Sequence, residues 1–243
     1  MGKEIKATMI DETLHFEIEP VFMPYQSVYN NFARIEKQCD VYLGLSAYDN
    51  ELMIKDYDRG IKKEQNHFAF AAYYDYGMIG FALGYKISSG AMYLSNLYVE
   101  PGYQGWGVGN KLLQQAENVA ALYSSNMNVF PLANAIKFYQ HYGYETLKDD
   151  VMTKKLSNVT SGVVPVFEWC DELTAKLNIE FDTKLLKQQK YHPIFIYVGK
   201  DSRIDGVATR LPSGEKRVVV NKAKGMVSRN WEYELMAALD KCR

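Results

Sequence analysis

Cysteine is scarce in this chain. Cys39, Cys170 and Cys242 are an odd number, set far apart, with no Cys-x-x-Cys pair. That pattern excludes a disulfide framework or a zinc ribbon, and the three read as reduced, structural thiols. Histidine is sparse too: His15, His67, His141 and His192 are scattered, without the i, i+4 spacing or acidic neighbours of a metal site, so no metal is expected. Long apolar runs are missing, since about 18 consecutive apolar residues would be needed to cross a membrane and none occurs. The opening "MGKEIKATMIDETLHFEIEP" lacks the charged-then-apolar order of a signal peptide. No membrane partner is expected, and the expected location is the cytoplasm.

A strong charge of either sign is also lacking. The net charge of −1 hides an asymmetry: residues 1–157 carry 14 Lys/Arg and 18 Asp/Glu, whereas 158–243 carry 14 and 11. Between Arg203 and Arg229, Arg210, Lys216, Arg217, Lys222 and Lys224 face only Asp205 and Glu215. Without aromatic residues interleaved among them, such a run is ordinarily a solvated face, which argues against nucleic acid as a partner.

What the chain does have is core-forming material, 47% hydrophobic over 243 residues, enough for one large domain or two small ones. "LHFEIEPVF" suits an opening strand, and "MPYQSVYNNFARIEKQCD" and "DNELMIKDYDRGIKKEQN" have helical spacing. "HFAFAAYYDYGMIGFALGYKI" reads as two strands with a turn near Asp75 to Gly77, and "AMYLSNLYV" as a third. From Val108, apolar side chains recur at Leu112, Leu113, Ala116, Val119, Ala120 and Tyr123, the period of an amphipathic helix. "MNVF" follows as a short strand, Ala135 to Tyr142 as a short helix stopped by Gly143, and "YETLKDDVMTKKL" as a strand or strand pair.

Ser157 to Gly162, "SNVTSG", is small and polar and reads as a linker, giving domains at 1–157 and 163–243. The second holds helical candidates "VPVFEWCDELTAKLN" and "FDTKLLKQQK", a strand "HPIFIYV", a hairpin "GVATRLPSGEKRVVV" turning at Pro212 to Gly214, and a closing helix "NWEYELMAALDKC". That makes it a smaller α+β accessory domain, which could cover a site, make a homodimer or recruit a protein substrate.

The most informative stretch is "YQGWGVGNKLLQQAENVAALY", Tyr103 to Tyr123. A strand running through a glycine turn into a helix makes an anion site, because first-turn N–H groups lack helical partners and the helix dipole favours negative charge. The dinucleotide fingerprint needs Gly-x-Gly-x-x-Gly and the P-loop needs Gly-Lys-Ser/Thr, and neither fits. The chain instead has Gly105, Gly107 and Gly109 alternating after Gln104.

Gln104-x-x-Gly107-x-Gly109 after "NLYVEP" resembles the first signature of the GNAT superfamily of acyl-CoA-dependent N-acyltransferases. "NAIKFYQHYGYE" resembles the second, Ala-x-x-x-Tyr-x-x-x-Gly-Phe, with Ala135, Tyr139, Gly143 and Tyr144 in register. The resemblance covers roughly residues 10–157. It implies an α/β fold with a mixed, mainly antiparallel sheet flanked by helices, and acetyl transfer from acetyl-CoA, as cosubstrate, to an amine on a small molecule or protein. Carried over, Gln104, Gly105, Trp106, Gly107, Val108, Gly109 and Asn110 would contact the pyrophosphate of coenzyme A. Leu97, Tyr98 and Val99, on a strand splayed from its neighbour, would pair with pantetheine. Tyr139 would stand at the thioester as proton donor, and the Val99 N–H would receive the oxyanion.

Such a transfer needs a neutral amine, an oxyanion donor and a proton for the leaving thiolate. A phenol, with an ordinary pKa near 10, can supply that proton at pH 7. The base departs from the family's pattern: where members carry a glutamate this chain has Met127 or Tyr93, and Leu132 replaces an asparagine before the second signature. Three accounts stay open, namely a water chain off Asn96 or Ser95, which is preferred, a base such as Glu100, or an amine of already low pKa. With no cysteine in either signature, direct attack in a ternary complex is expected. The alternative is a non-catalytic module that binds acyl-CoA as a sensor or assembly part. The tyrosines of "AAYYDYG" and "LGYKI" suit either an acceptor pocket or sheet packing.

Overall fold

In a computed structural model, residues 14–22, 67–176, 186, 192–201, 203–220 and 230–242 are described. The helices expected within 23–66, and nearly all of the one within 181–190, lie outside them.

Alternation and β-branched or aromatic content put the chain into strands where the sequence suggests. β1 (Glu17–Pro20), β2 (His67–Tyr74), β3 (Gly77–Lys86) and β4 (Met92–Val99) form an antiparallel run. Pro20 lacks an N–H and ends β1, which has no partner beyond it in the sheet order. The turn between β2 and β3 has Asp75 and Tyr76 both at positive φ, 46° and 65°, as a two-residue hairpin loop requires. Asp149 and Asp150 repeat that geometry between β6 (Glu145–Lys148) and β7 (Val151–Lys155). β5 (Asn126–Val129) lies parallel to β4, and the sheet order is β1-β2-β3-β4-β5-β7-β6. The expected mixed, mainly antiparallel sheet is what is found.

Helix α1 (Val108–Tyr123) buries all seven apolar positions expected of it, and Ala121 and Leu122 besides. Small residues on β3 let it approach. A Cβ at Gly80 would stand 3.2 Å from Leu112 Cδ1, whereas Gly84 makes room for a ring of β2, since a Cβ there would stand 2.3 Å from Phe68 Cζ. Leu112, Met92, Leu94 and Met127 are fully enclosed between α1 and the sheet; each such side chain stabilises the fold by roughly 1.5–3 kcal/mol. Helix α2 (Ile136–His141) is preceded by a 3-10 turn (Ala133–Ala135) and followed by Gly143 at φ 84°, the left-handed stop anticipated for it.

Four further strands, β8 (Gly162–Val166), β9 (Ile194–Val198), β10 (Ile204–Arg210) and β11 (Lys216–Val220), form an antiparallel sheet in the order β11-β10-β9-β8. The hairpin at Pro212 to Gly214 is present, with Gly214 at φ 85°. One expectation fails. "VPV" at 164–166 is strand, and the helix expected to include it, α3 (Asp171–Lys176), begins only at Asp171. β-branched valines favour the strand, and Pro165 is tolerated because β8 pairs with β9 alone. Helix α4 (Asn230–Lys241) lays Trp231, Leu235 and Leu239 on this sheet against Phe195 and Ala208, and Arg210 Nη2 donates to the Leu239 carbonyl at 2.7 Å, capping its last turn.

The two sheets share one apolar cluster, in which Val164, Val166, Phe167, Leu173 and Ile196 join Val119, Leu122 and Tyr123. Residues 157–161 run along α1: the Thr160 N–H donates to Asn118 Oδ1 at 2.8 Å, and Tyr123 OH donates to the Glu168 carbonyl at 2.9 Å.

Candidate active site

The site grows from a break in the pairing of β4. On one edge β4 pairs with β3 along its length, whereas on the other it pairs with β5 only at Met92↔Met127, Tyr93↔Asn128 and Leu94↔Val129. β5 stops at Val129. At Leu97 and Val99 that edge of β4 is therefore left without a strand partner among the described residues.

The break coincides with a bulge. Leu83 pairs with Asn96 and Gly84 with Leu94, so Ser95 is an extra residue, and its hydroxyl donates to the Leu83 carbonyl at 3.1 Å. The Glu100 N–H donates to the Ile79 carbonyl at 2.8 Å. Strand alternation then turns the N–H and C=O of Val99, and of Leu97, toward the open edge, and those of Tyr98 toward β3. The Gln104 side chain donates Nε2 to the Val99 carbonyl at 3.0 Å. Its amide thus ties the glycine loop to the open edge.

At the head of α1 the glycines act through conformation. Gly105 and Gly107 adopt φ of 81° and 82°, and a Cβ on either would meet nothing within 4 Å. Their value is the left-handed backbone, which an L side chain adopts at a penalty of about 1–2 kcal/mol. Gly107 is the N-cap residue of α1, and no side chain caps the helix there. The Lys111 N–H bonds the Gly107 carbonyl, leaving the first-turn N–H groups before it directed out of the helix. Gly109 lies beneath: a Cβ on it would be 3.5 Å from Val99 Cγ2 and 3.7 Å from the Phe138 ring. Val108 is buried and Trp106 is 47% exposed. Asn110 Oδ1 is buried without a hydrogen-bond partner. An uncapped helix start and open space over two glycines fit a phosphate-bearing ligand.

Tyr139, on α2, is buried, with its ring edge-on to Phe138 at 5.2 Å and to Tyr144 at 5.4 Å. Burial first, and the neighbouring Tyr93 second, push its phenol above the ordinary tyrosine value, so it is fully protonated at neutral pH. Behind it stands a group that inspection of the sequence misses. Lys154 Nζ on β7 bonds both carboxylate oxygens of Glu117 on α1, at 2.8 and 2.7 Å, and lies 5.6 Å from the Tyr144 ring centre. Burial, then the Glu117 charge beside it, push the Tyr144 phenol up. Glu117 and Lys154 are 37 residues apart, and they meet through the packing of α1 on the sheet.

The residues singled out from sequence thus divide. Leu97, Val99, Gln104, Gly105, Gly107 and Gly109 gather around the open edge and the head of α1. Tyr98 packs its ring on Phe81 at 5.5 Å. Asn96, paired with Leu83, sits on the sheet face opposite α1. Met127 points into the core under α1, wholly buried.

A strand with one open edge thus stands beside an uncapped, glycine-led helix start. Residues 65–146 match the family model described as the acetyltransferase (GNAT) domain, and this segment is a GNAT acetyltransferase domain. Similar solved structures include a PaiA N-acetyltransferase from Thermoplasma acidophilum in complex with coenzyme A, at 19% identity, TM-score 0.45, over 58% of this chain and 99% of that one. A putative N-acetyltransferase from Lactobacillus plantarum is 21% identical at TM-score 0.46, over 58% and 99%. A GNAT-family acetyltransferase from Staphylococcus aureus Mu50 is 11% identical at TM-score 0.48, over 59% and 100%. The assignment rests on the family match. No curated protein matches the chain. Among the described residues no helix is long and apolar enough to cross a membrane, and no group of three His, Cys, Asp or Glu is placed to hold a metal.

Proposed function

We propose that this protein moves an acetyl group from acetyl-CoA to a primary amine by direct attack within a ternary complex. The observation that carries the reading is the open edge of β4 at Leu97 and Val99, next to the uncapped, glycine-led head of α1.

The thioester supplies an activated acyl carbon. The neutral amine nitrogen bonds to that carbon, and the Val99 N–H, directed to the open edge, donates to the oxygen as negative charge gathers on it. When the carbon–sulfur bond breaks, Tyr139 gives its proton to the departing thiolate and regains one from water. The new amide loses its extra amine proton along water bonded to Asn96 or Ser95. The first-turn N–H groups of α1, that of Asn110 among them, hold the pyrophosphate.

Turnover is tested by thiol release from acetyl-CoA in the presence of primary amines. Tight coenzyme binding with no thiol release on any amine would favour the second reading, a non-catalytic acyl-CoA sensor. That reading draws on Met127 and Tyr93, which stand where family members place a carboxylate.

A further inference from the structure

Of the three tryptophans in the chain, two are enclosed: Trp169 and Trp231 are 5% and 7% exposed. Trp106 is the exception, at 47%. It stands in the glycine loop one residue before the N-cap of α1, and the glycines on either side of it, Gly105 and Gly107, have open space where a side chain would start. Neighbouring rings are already paired, Tyr103 with Tyr74 at 5.7 Å and Phe138 with Tyr142 at 4.9 Å, whereas Trp106 has no ring contact among the described residues. From Pro101 to Ala116 there is no acidic residue, and the one charge is the cation of Lys111.

The loop also has a direction. Gln104 bonds the Val99 carbonyl and so holds the near end of the loop against β4, while Trp106 lies two residues further on. A carrier whose acyl arm follows the open edge at Leu97 and Val99, and whose pyrophosphate lies at the first-turn N–H groups of α1, has its nucleoside beyond the pyrophosphate, at the end away from that edge. We propose that the Trp106 side chain is the stacking platform for the adenine of coenzyme A, and that it makes the protein select the nucleotide-bearing carrier over one that ends at phosphopantetheine. This rests on the acetyl-CoA reading above. An indole face receives a base without hydrogen-bond readout, because every base has a π-face. The open ground over Gly105 and Gly107 leaves room for a ring laid against the indole, and a loop without acidic groups does not repel the phosphates that flank the nucleoside.

The test uses the full chain, calorimetry and tryptophan fluorescence, with two probes: coenzyme A, and phosphopantetheine, which has the arm without the adenosine. Since Trp169 and Trp231 are buried, Trp106 is the indole that a ligand can reach, and coenzyme A should quench its emission where phosphopantetheine does not. Trp106→Ala should weaken coenzyme A binding roughly tenfold, the effect of one lost stacked base, and abolish the quenching. Its affinity for phosphopantetheine and its thermal midpoint should stay as in the parent protein, and Trp106→Phe should keep most of the coenzyme affinity. An equal loss for both probes, no loss for either, or quenching that persists in Trp106→Ala overturns the platform while leaving the coenzyme site intact. A parent protein that binds neither probe overturns both readings.

Discussion

Strand β4 is two strands in physical terms. From Met92 to Leu94 it is paired on both edges, and its inward side chains are enclosed; from Ser95 to Val99 it is paired on one edge and offers the other. The first half belongs to the core, and the second is the half proposed to take part in the reaction. The same backbone can do both because the extra residue at Ser95 separates them.

Substitutions should divide accordingly. The largest loss of stability is expected for Leu94→Ala, about 3 kcal/mol by analogy with buried leucines elsewhere, read in chemical denaturation, with turnover per folded molecule kept. Tyr139→Phe should do the reverse, lowering kcat about a hundredfold with coenzyme affinity and unfolding midpoint nearly intact; an unchanged kcat removes Tyr139 as proton donor. Gly84→Ala places a methyl 2.3 Å from Phe68 Cζ and 2.5 Å from the Tyr93 carbonyl, so a loss of about 1–3 kcal/mol is expected, again without a selective effect on coenzyme binding. Gly107→Ala meets no atom but must hold φ at 82°. It should weaken coenzyme binding, measured by calorimetry, more than it lowers stability, by about 1–2 kcal/mol of backbone strain.

The mildest effect is one of pH. Tyr123, Tyr139 and Tyr144 all have phenols raised in the folded protein, by burial first in each case. Below the unfolded value of about 10 both states hold the proton and the contribution is complete. Above it the unfolded chain releases protons that the folded one keeps, so stability falls as pH rises further. The Cys242 thiol is raised likewise, by burial first, from an ordinary value of about 9, so melting temperatures should be level from pH 7 to about 8 and decline beyond. A decline that Tyr144→Phe leaves unaltered would exclude that phenol.

Much of this was legible in the sequence because it depends on local chemistry. The period from Val108 to Tyr123 gives α1, Asp75 to Gly77 gives a hairpin, and the glycine order after Gln104 separates this loop from the two better-known phosphate loops. The strand at 162–166 was not legible, since a valine-rich run before an acidic segment suits the start of a helix as well as a strand; pairing with β9 decided it. Nor was the Glu117–Lys154 pair, made of residues far apart in the chain and brought together by the packing of α1 on the sheet. Met127 illustrates the same limit. Spacing put it where relatives have a base, and the pleat turned it into the core.

The covering of α1 by the second sheet bears on how the chain can be handled. Ala121, Leu122 and Tyr123 are buried on a helix whose expected apolar stripe did not include the first two, and β8 and α3 pack against that helix. A chain ended at Lys155 would leave this flank to water as a greasy seam, with the Tyr123 hydroxyl deprived of the Glu168 carbonyl. Such a fragment is expected to self-associate or precipitate, however complete its catalytic residues. Residues beyond 157 are in this sense a built-in solubiliser of the acetyltransferase segment.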